Sequence, residues 1–237
     1  MGRYVRIALM CSAAETPMTL RTTMSPASIA PIVDDPDVCA VARDRELRQV
    51  WCNEAYARNM GSTPEALQGT LLSATMTEEQ AKERMSLMRH VLEDGSMHAH
   101  QQIWLGARWL TRVWPLDPEY FGHEGYFILI MRMTGTPRED LGEVVFVQSH
   151  DLGKFGVLSP RELEVMYYLA GGLSVSDVAS AIYRSEKTVG HHVESIYKKM
   201  GYTNRAALVH DAVESGLVTF SSGEWSKVVD PNDGKQD

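Results

Sequence analysis

Between residues 157 and 218 the apolar positions recur at helical spacing in four short blocks, whereas between 37 and 135 they fall mainly into strand-like runs. The clearest block is 185–200. Val189, Val193, Ile196 and Met200 make one stripe that packs inward, and the opposite side offers Lys187, Gly190, His191, Glu194 and Lys198. Ser185 is an N-cap, and Gly201 stands where a left-handed residue ends a helix. Upstream, Ser159-Pro160-Arg161-Glu162 combines a cap, a proline at the first helical position and a glutamate three residues after the cap. The helix it opens runs through Leu163, Val165, Met166 and Leu169 and stops at Gly171-Gly172. Ser174 with Asp177 repeats the cap before a short helix carrying Val178, Ala179 and Ile182. Only Tyr183 and Arg184 separate that helix from Ser185, so the two must cross steeply. This is the helix-turn-helix arrangement, which places its second helix in a major groove. A fourth helix, from Asn204 through Leu208 and Val213, closes the unit before Gly216.

In the earlier region, 38–42 is a short apolar strand, Asp44-Arg45 a turn and 47–51 a second strand. Asn53 caps a helix containing Ala55 and Tyr56, and Thr63-Pro64-Glu65 opens another that stops at Gly69. Residues 78–92 are strongly amphipathic and helical. Strands follow at 96–105, 107–116 and 125–133, with Gly106 at one turn and a longer loop, 117–124, before the last. Antiparallel strands wrapping helices placed between the second and third strands give an α+β domain of about 100 residues. Trp104, Trp109 and Trp114 are spaced by five, an odd number that puts successive tryptophans on opposite sheet faces. They therefore read as sheet packing and a dimer interface rather than as one aromatic box.

The remaining segments are an N-terminal arm (1–36), a linker (136–156) and a tail (219–237). The arm has no sustained period and is expected to be mobile, and Met18 and Met24 are alternative starts within it. The tail is polar and expected to be frayed, with Trp225 as the residue able to dock. Apolar residues make up 44% of the chain, enough for two cores. The net charge of -8 is spread along the sequence, which argues against a polybasic binder of membranes or nucleic acid. Cys11, Cys39 and Cys52 form no CxxC pair and fit a reducing cytoplasm. No apolar run approaches the length of a membrane span.

Residues 158–213 resemble the four-helix LuxR-type (NarL or GerE type) DNA-binding domain of bacterial transcription regulators. The resemblance is carried by Leu158-Ser-Pro-Arg-Glu162, Gly172-Leu173, Val178-Ala179, Ser185-Glu-Lys-Thr-Val189, His192, Ile196, Lys199-Met-Gly201 and Asn204-Arg205. It implies that 185–200 is the recognition helix, and that Lys187, Thr188, Gly190, His191, Glu194 and Lys198 face bases or phosphates. Arg184, Ser185, His192, Ser195, Lys199 and Arg205 complete the candidate DNA-binding set. Gly190 and Glu194 depart from the family, which often has lysine or another polar donor at these positions. From 157 to 218, Arg161, Arg184, Lys187, Lys198, Lys199 and Arg205 oppose Glu162, Glu164, Asp177, Glu186, Glu194, Asp211 and Glu214. A domain so nearly neutral neutralises few phosphates, so a single copy should bind weakly and need a dimer partner. Glu194 can instead accept from a cytosine amino group. His192 reads as a partly buried structural histidine, and His191 as either a solvated side chain or a DNA contact.

The order of elements over 37–135 resembles a PAS domain, on Asn53, Tyr56, Met60-Gly61, Pro64-Glu65, Leu67, Gly69 and the closing strands. The fold class is thus an α+β PAS-like domain, an antiparallel sheet with helices, followed by an all-α four-helix LuxR-type helix-turn-helix domain over 157–218. Such a fold takes haem, flavin, a small acid or nothing, and the cofactor stays unassigned. The flavin-photoreceptor cysteine motif is absent. His90 reads as a structural or solvated helical histidine in preference to a haem ligand.

Together the two resemblances imply a cytoplasmic regulator that binds a two-fold site in double-stranded DNA as a homodimer and takes a small-molecule ligand or protein partner in the PAS-like domain. An acyl-homoserine-lactone receptor is a rival, although its Trp, Tyr and Asp pattern is not found here. A non-DNA-binding, PAS-mediated interaction protein is another. No nucleophile with a base, metal cluster or phosphate loop points to an enzyme. No doubly wound receiver pattern points to a phosphorylated response regulator.

Overall fold

The computed structural model describes residues 35–133 and 144–229. Nearly all of the expected arm, the start of the linker and the end of the tail lie outside the described residues.

The first domain is built on strands β1 (Val38–Asp44), β2 (Gln49–Cys52), β3 (His98–Trp104), β4 (Ala107–Pro115) and β5 (Gly125–Arg132). Helices α1 (Glu54–Asn59), α2 (Pro64–Leu67) and α3 (Glu78–Asp94) fall between β2 and β3. The sheet order is β2-β1-β5-β4-β3, extended at the β3 edge by a two-residue strand, β6 (Val145–Phe146). Neighbours pair antiparallel, except that β6 runs parallel to β3. Asn53 fixes the entry into α1: its Oδ1 accepts from the backbone N–H groups of Ala40 and Tyr56, both at 3.0 Å. Thr77 and Gln80 form the capping box of α3, and Gly95 closes that helix in the left-handed region.

Three details differ from the sequence reading. Leu47 belongs to the β1–β2 turn at φ 62, so β2 begins at Gln49. The loop before β5 holds a short helix, α4 (Pro118–Phe121), capped by Asp117. The tryptophans obey odd-spacing logic only within one strand. Trp104 pairs with Ala107 across a tight turn, which reverses the parity, and the Trp104 and Trp109 rings therefore meet at 5.2 Å on the same face. Trp114, five residues along the same strand from Trp109, packs on the other face against Phe127 at 6.5 Å.

The second domain comprises α5 (Pro160–Ala170), α6 (Val175–Ala181), α7 (Glu186–Met200) and α8 (Arg205–Glu214). Both expected capping boxes form, Ser159 with Glu162 and Ser174 with Asp177. The expected tail is corrected over its first half: Ser222–Val229 is a helix, α9. It is held because Trp225 is buried, with its ring stacked on Tyr167 at 5.1 Å, and because Glu224 Oε2 accepts from the Ser221 N–H.

The linker is structured where it is described. After β6, the Val147 N–H donates to Gln101 O and the Asp151 N–H to Ile103 O, extending the edge of the sheet. The two domains then dock through the outer face of that sheet. The fully buried Arg108 donates from Nη1 to Thr219 O at 2.7 Å and from Nη2 to Glu224 at 3.2 Å. Its guanidinium lies 4.0 Å from the centroid of Phe220. Gly216, at φ 68, permits a contact that a side chain would block, since a Cβ there would sit 2.3 Å from Met133 O. Lys154 adds an ion pair to Asp211 at 2.8 Å.

Candidate nucleic-acid interface and internal cavity

The α7 helix is positioned by its apolar stripe. Val189 and Ile196 are completely buried, with Val193 and Met200 packed beside them. Its start is fixed by Ser185, whose Oγ accepts from the Thr188 N–H at 3.2 Å, and its end by Gly201 in the left-handed region. Burying this stripe turns Lys187, His191, Glu194 and Lys198 outward, all four exposed. Offsets of four, seven and eleven residues place them along one face over three turns, about 16 Å. His191 Nδ1 lies 3.8 Å from Glu194, a pair that forms only when the imidazole is protonated. Among the described residues neither Lys187 nor Lys198 has an acidic partner within ion-pair distance. Both cations therefore remain available to a phosphate.

The twelve candidate positions separate into two groups. Arg184, Ser185, Lys187, His191, Glu194 and Lys198 are exposed, with Thr188, Gly190 and His192 half-buried at the edges of the same helix. Ser195, Lys199 and Arg205 are held by bonds inside the domain. Ser195 Oγ donates to Glu162 Oε1 at 2.6 Å and Lys199 Nζ to Glu162 Oε2 at 2.7 Å. Arg205 Nη2 donates to the carbonyls of Leu169 and Leu173 at 2.7 and 2.9 Å. Burial raises the pKa of Glu162, but hydrogen bonds from Lys199, Ser195 and Ser159 outweigh it and bring the group down to about 2. Glu162 is thus an ionised anchor tying α5 to α7. Spacing along one helix could not disclose this, because the partner lies thirty-three residues upstream of Ser195.

Sequence reasoning passed over Tyr183. It occupies the turn between α6 and α7 with a left-handed backbone, φ 54, and 88% exposure. A large side chain in that conformation is strained. Its position beside Arg184, at the mouth of the turn, is the only signal the sequence carried.

A cavity lies between the sheet and α3, with Arg43, Tyr56, Arg84, His100, Gln102 and Thr111 as its polar wall. Met60, Met88, Ile130 and Trp104 are among its apolar lining. Strand alternation explains how β3 serves two surfaces. His100, Gln102 and Trp104 face the cavity, while Gln101 accepts from Arg108 Nε at 3.0 Å and Ile103 packs with Phe155 in the core of the second domain. Arg84 joins the cavity to the linker: Nε donates to Gln102 at 3.1 Å and Nη2 to Ser149 O at 3.1 Å. Glu83 accepts from the backbone N–H groups of Gln148 and Ser149. His90 is not among the lining residues and packs edge-on against His98 at 5.2 Å. Cys39 and Cys52 are buried free thiols, each pushed up to about 11 by burial.

These features define a cavity-bearing α+β domain docked on a helix-turn-helix unit. Residues 156–212 match the model of bacterial regulatory proteins of the luxR family, and residues 34–136 match that of the PAS fold. The chain therefore carries a PAS domain followed by a LuxR-family helix-turn-helix domain. It is similar to the probable transcriptional regulatory protein NarL of Mycobacterium tuberculosis, 40% identical over 62 residues, or 26% of this chain and 29% of that one. The transcriptional regulatory protein DegU of Brevibacillus brevis is 30% identical over 87 residues, 37% of each chain. The chain thus spans well under half the length of these relatives. Among solved structures, a Vibrio cholera VqmA-ligand-DNA complex aligns over 84% of this chain and 91% of its own, at 19% identity and a TM-score of 0.44. Among the described residues no helix is long and apolar enough to cross a membrane.

Proposed function

We propose that this protein is a cytoplasmic DNA-binding transcription regulator, in which the PAS domain receives a small molecule or partner and two copies of α7 read a two-fold DNA site. The observation that carries the proposal is the outward stripe of Lys187, His191, Glu194 and Lys198, with neither lysine paired to an acidic group among the described residues, on the second helix of a helix-turn-helix. The dimer supplies the affinity that one nearly neutral copy lacks, since phosphate neutralisation scales with the number of cations engaged. The PAS domain and linker act by setting the separation of the two recognition helices near one DNA turn, roughly 34 Å. A ligand shifts that arrangement only by binding one form more tightly than the other. The assignment gives the chain no catalytic step.

A mobility-shift titration on the DNA upstream of its own gene tests the proposal. Specific retardation should weaken steeply with salt, and Lys187→Ala or Lys198→Ala should each lower the logarithmic salt slope by about 1. If the dimer shows no specific retardation, while Gly190→Lys with Glu194→Lys creates only sequence-independent binding, the chain is a PAS-mediated interaction protein instead.

A further inference from the structure

The cavity wall has a charge that the described residues do not balance. Arg43 is 1% exposed, yet among the described residues it forms no ion pair. Its Nη1 donates to the carbonyls of Leu47 at 2.8 Å and Thr70 at 3.4 Å, and its Nη2 to the Tyr56 hydroxyl at 3.3 Å. All three acceptors are neutral, and a buried cation satisfied only by neutral oxygens is costly. The second guanidinium on the wall, Arg84, already has Glu83 at 2.9 Å. Among the described residues no aspartate or glutamate lines the cavity.

A histidine on the same wall is incomplete as well. His100 is 1% exposed, and neither ring nitrogen has a hydrogen-bond partner. Burial, with the positive charge of Arg84 nearby, holds its pKa well below the ordinary value, so the ring is neutral and keeps one N–H to donate. Buried polar groups without partners are rare in folded proteins and commonly mark a functional site. Beyond these groups and the polar Tyr56, Thr75, Gln102 and Thr111, the lining is apolar and deformable, and it includes Met60, Met76, Met88 and Trp104, whose ring stacks on Tyr56 at 5.9 Å.

We propose that the cavity binds a small carboxylic acid as its anion, the carboxylate accepting from Arg43 and His100 and the apolar body lying among Met60, Met88 and Trp104. The free volume is about 50 Å³, room for a few water molecules, so the acid is compact. A neutral ligand of the same shape would leave the Arg43 charge uncompensated and gain less. The proposal rests on the PAS domain being the sensing part of the molecule. It also gives the signal a route outward, because Arg84 borders the same cavity and holds Ser149 of the linker.

The test uses the full-length protein and measures ligand binding without DNA. Propionate and benzoate are titrated calorimetrically beside their isosteric amides, propionamide and benzamide. An acid should bind on the order of tenfold more tightly than its amide, the worth of a charge-assisted hydrogen bond. With ¹⁵N-labelled histidine, the bound anion should raise the pKa of His100 and leave exposed His191 unmoved. Arg43→Lys, which keeps the cation, should retain the preference for acid, and His100→Gln should weaken it. Equal binding of acid and amide, or no binding of either acid at millimolar concentration, overturns the proposal. Neither result touches DNA binding, which is read separately from the unliganded protein.

Discussion

At the scale of single residues, α7 carries an internal handicap. A Cβ added at Gly190 would meet no atom within 4 Å, so nothing in the fold requires glycine there. Gly190→Ala should stabilise the second domain by about 1 kcal/mol and raise Tm by about 2–4 °C, measurable by circular dichroism. Glu162 works in the opposite sense. Glu162→Gln removes the charge that Lys199 and Ser195 share and should cost about 1.5–3 kcal/mol. Because its pKa is lowered on folding, that contribution is complete above the normal glutamate range and is lost as pH falls towards about 2. The histidines govern a higher window. Burial lowers the pKa of His98 and His100 and brings His150 to about 4, so the unfolded chain binds more protons than the native one below about pH 6.5. Tm should therefore fall between about pH 6.5 and 4, and His150→Gln should flatten that slope.

At the scale of elements, caps and periodicity were the legible part. The serine caps at 159, 174 and 185 and the Gly201 terminator specify α5, α6 and α7 locally, within a few residues of where they act. Partners distant in sequence were not legible. Ser195, Lys199 and Arg205 look like any polar residues on or beyond a recognition helix until Glu162 and the carbonyls of Leu169 and Leu173 are brought beside them. The tryptophan reading holds for Trp109 and Trp114 and for the absence of one shared box, but not for Trp104 and Trp109, because the turn at Leu105-Gly106 reverses face parity, which counting along the chain ignores. β6 escaped because two residues are too few to show a period. The helix α9 escaped because its support comes from Tyr167 and Phe220 rather than from its own composition. In the cavity, the types of residue were visible in the sequence. What counts there is that no described residue supplies a counter-charge beside Arg43, which only three-dimensional placement reveals.

At the scale of the whole molecule, β3 separates the cavity from the helix-turn-helix unit, presenting alternate side chains to each. Arg108 is the main polar tie across that boundary, reaching Gln101, Thr219 and Glu224 together. Arg108→Gln should uncouple the domains, and calorimetry should then resolve two unfolding transitions where the parent protein shows one. An unchanged single transition would mean that apolar packing around Phe155 and Phe220 suffices for docking. Under the proposed function the docking also constrains regulation, because the linker segment held by Arg84 and Glu83 leads directly into the second domain. The proposed function requires that two α7 helices read DNA together. Selection of the protein against a pool of randomised duplexes tests this: a two-fold motif with half-sites about one helical turn apart should be enriched, whereas enrichment of no motif, or of a single asymmetric half-site bound by a monomer, would contradict it.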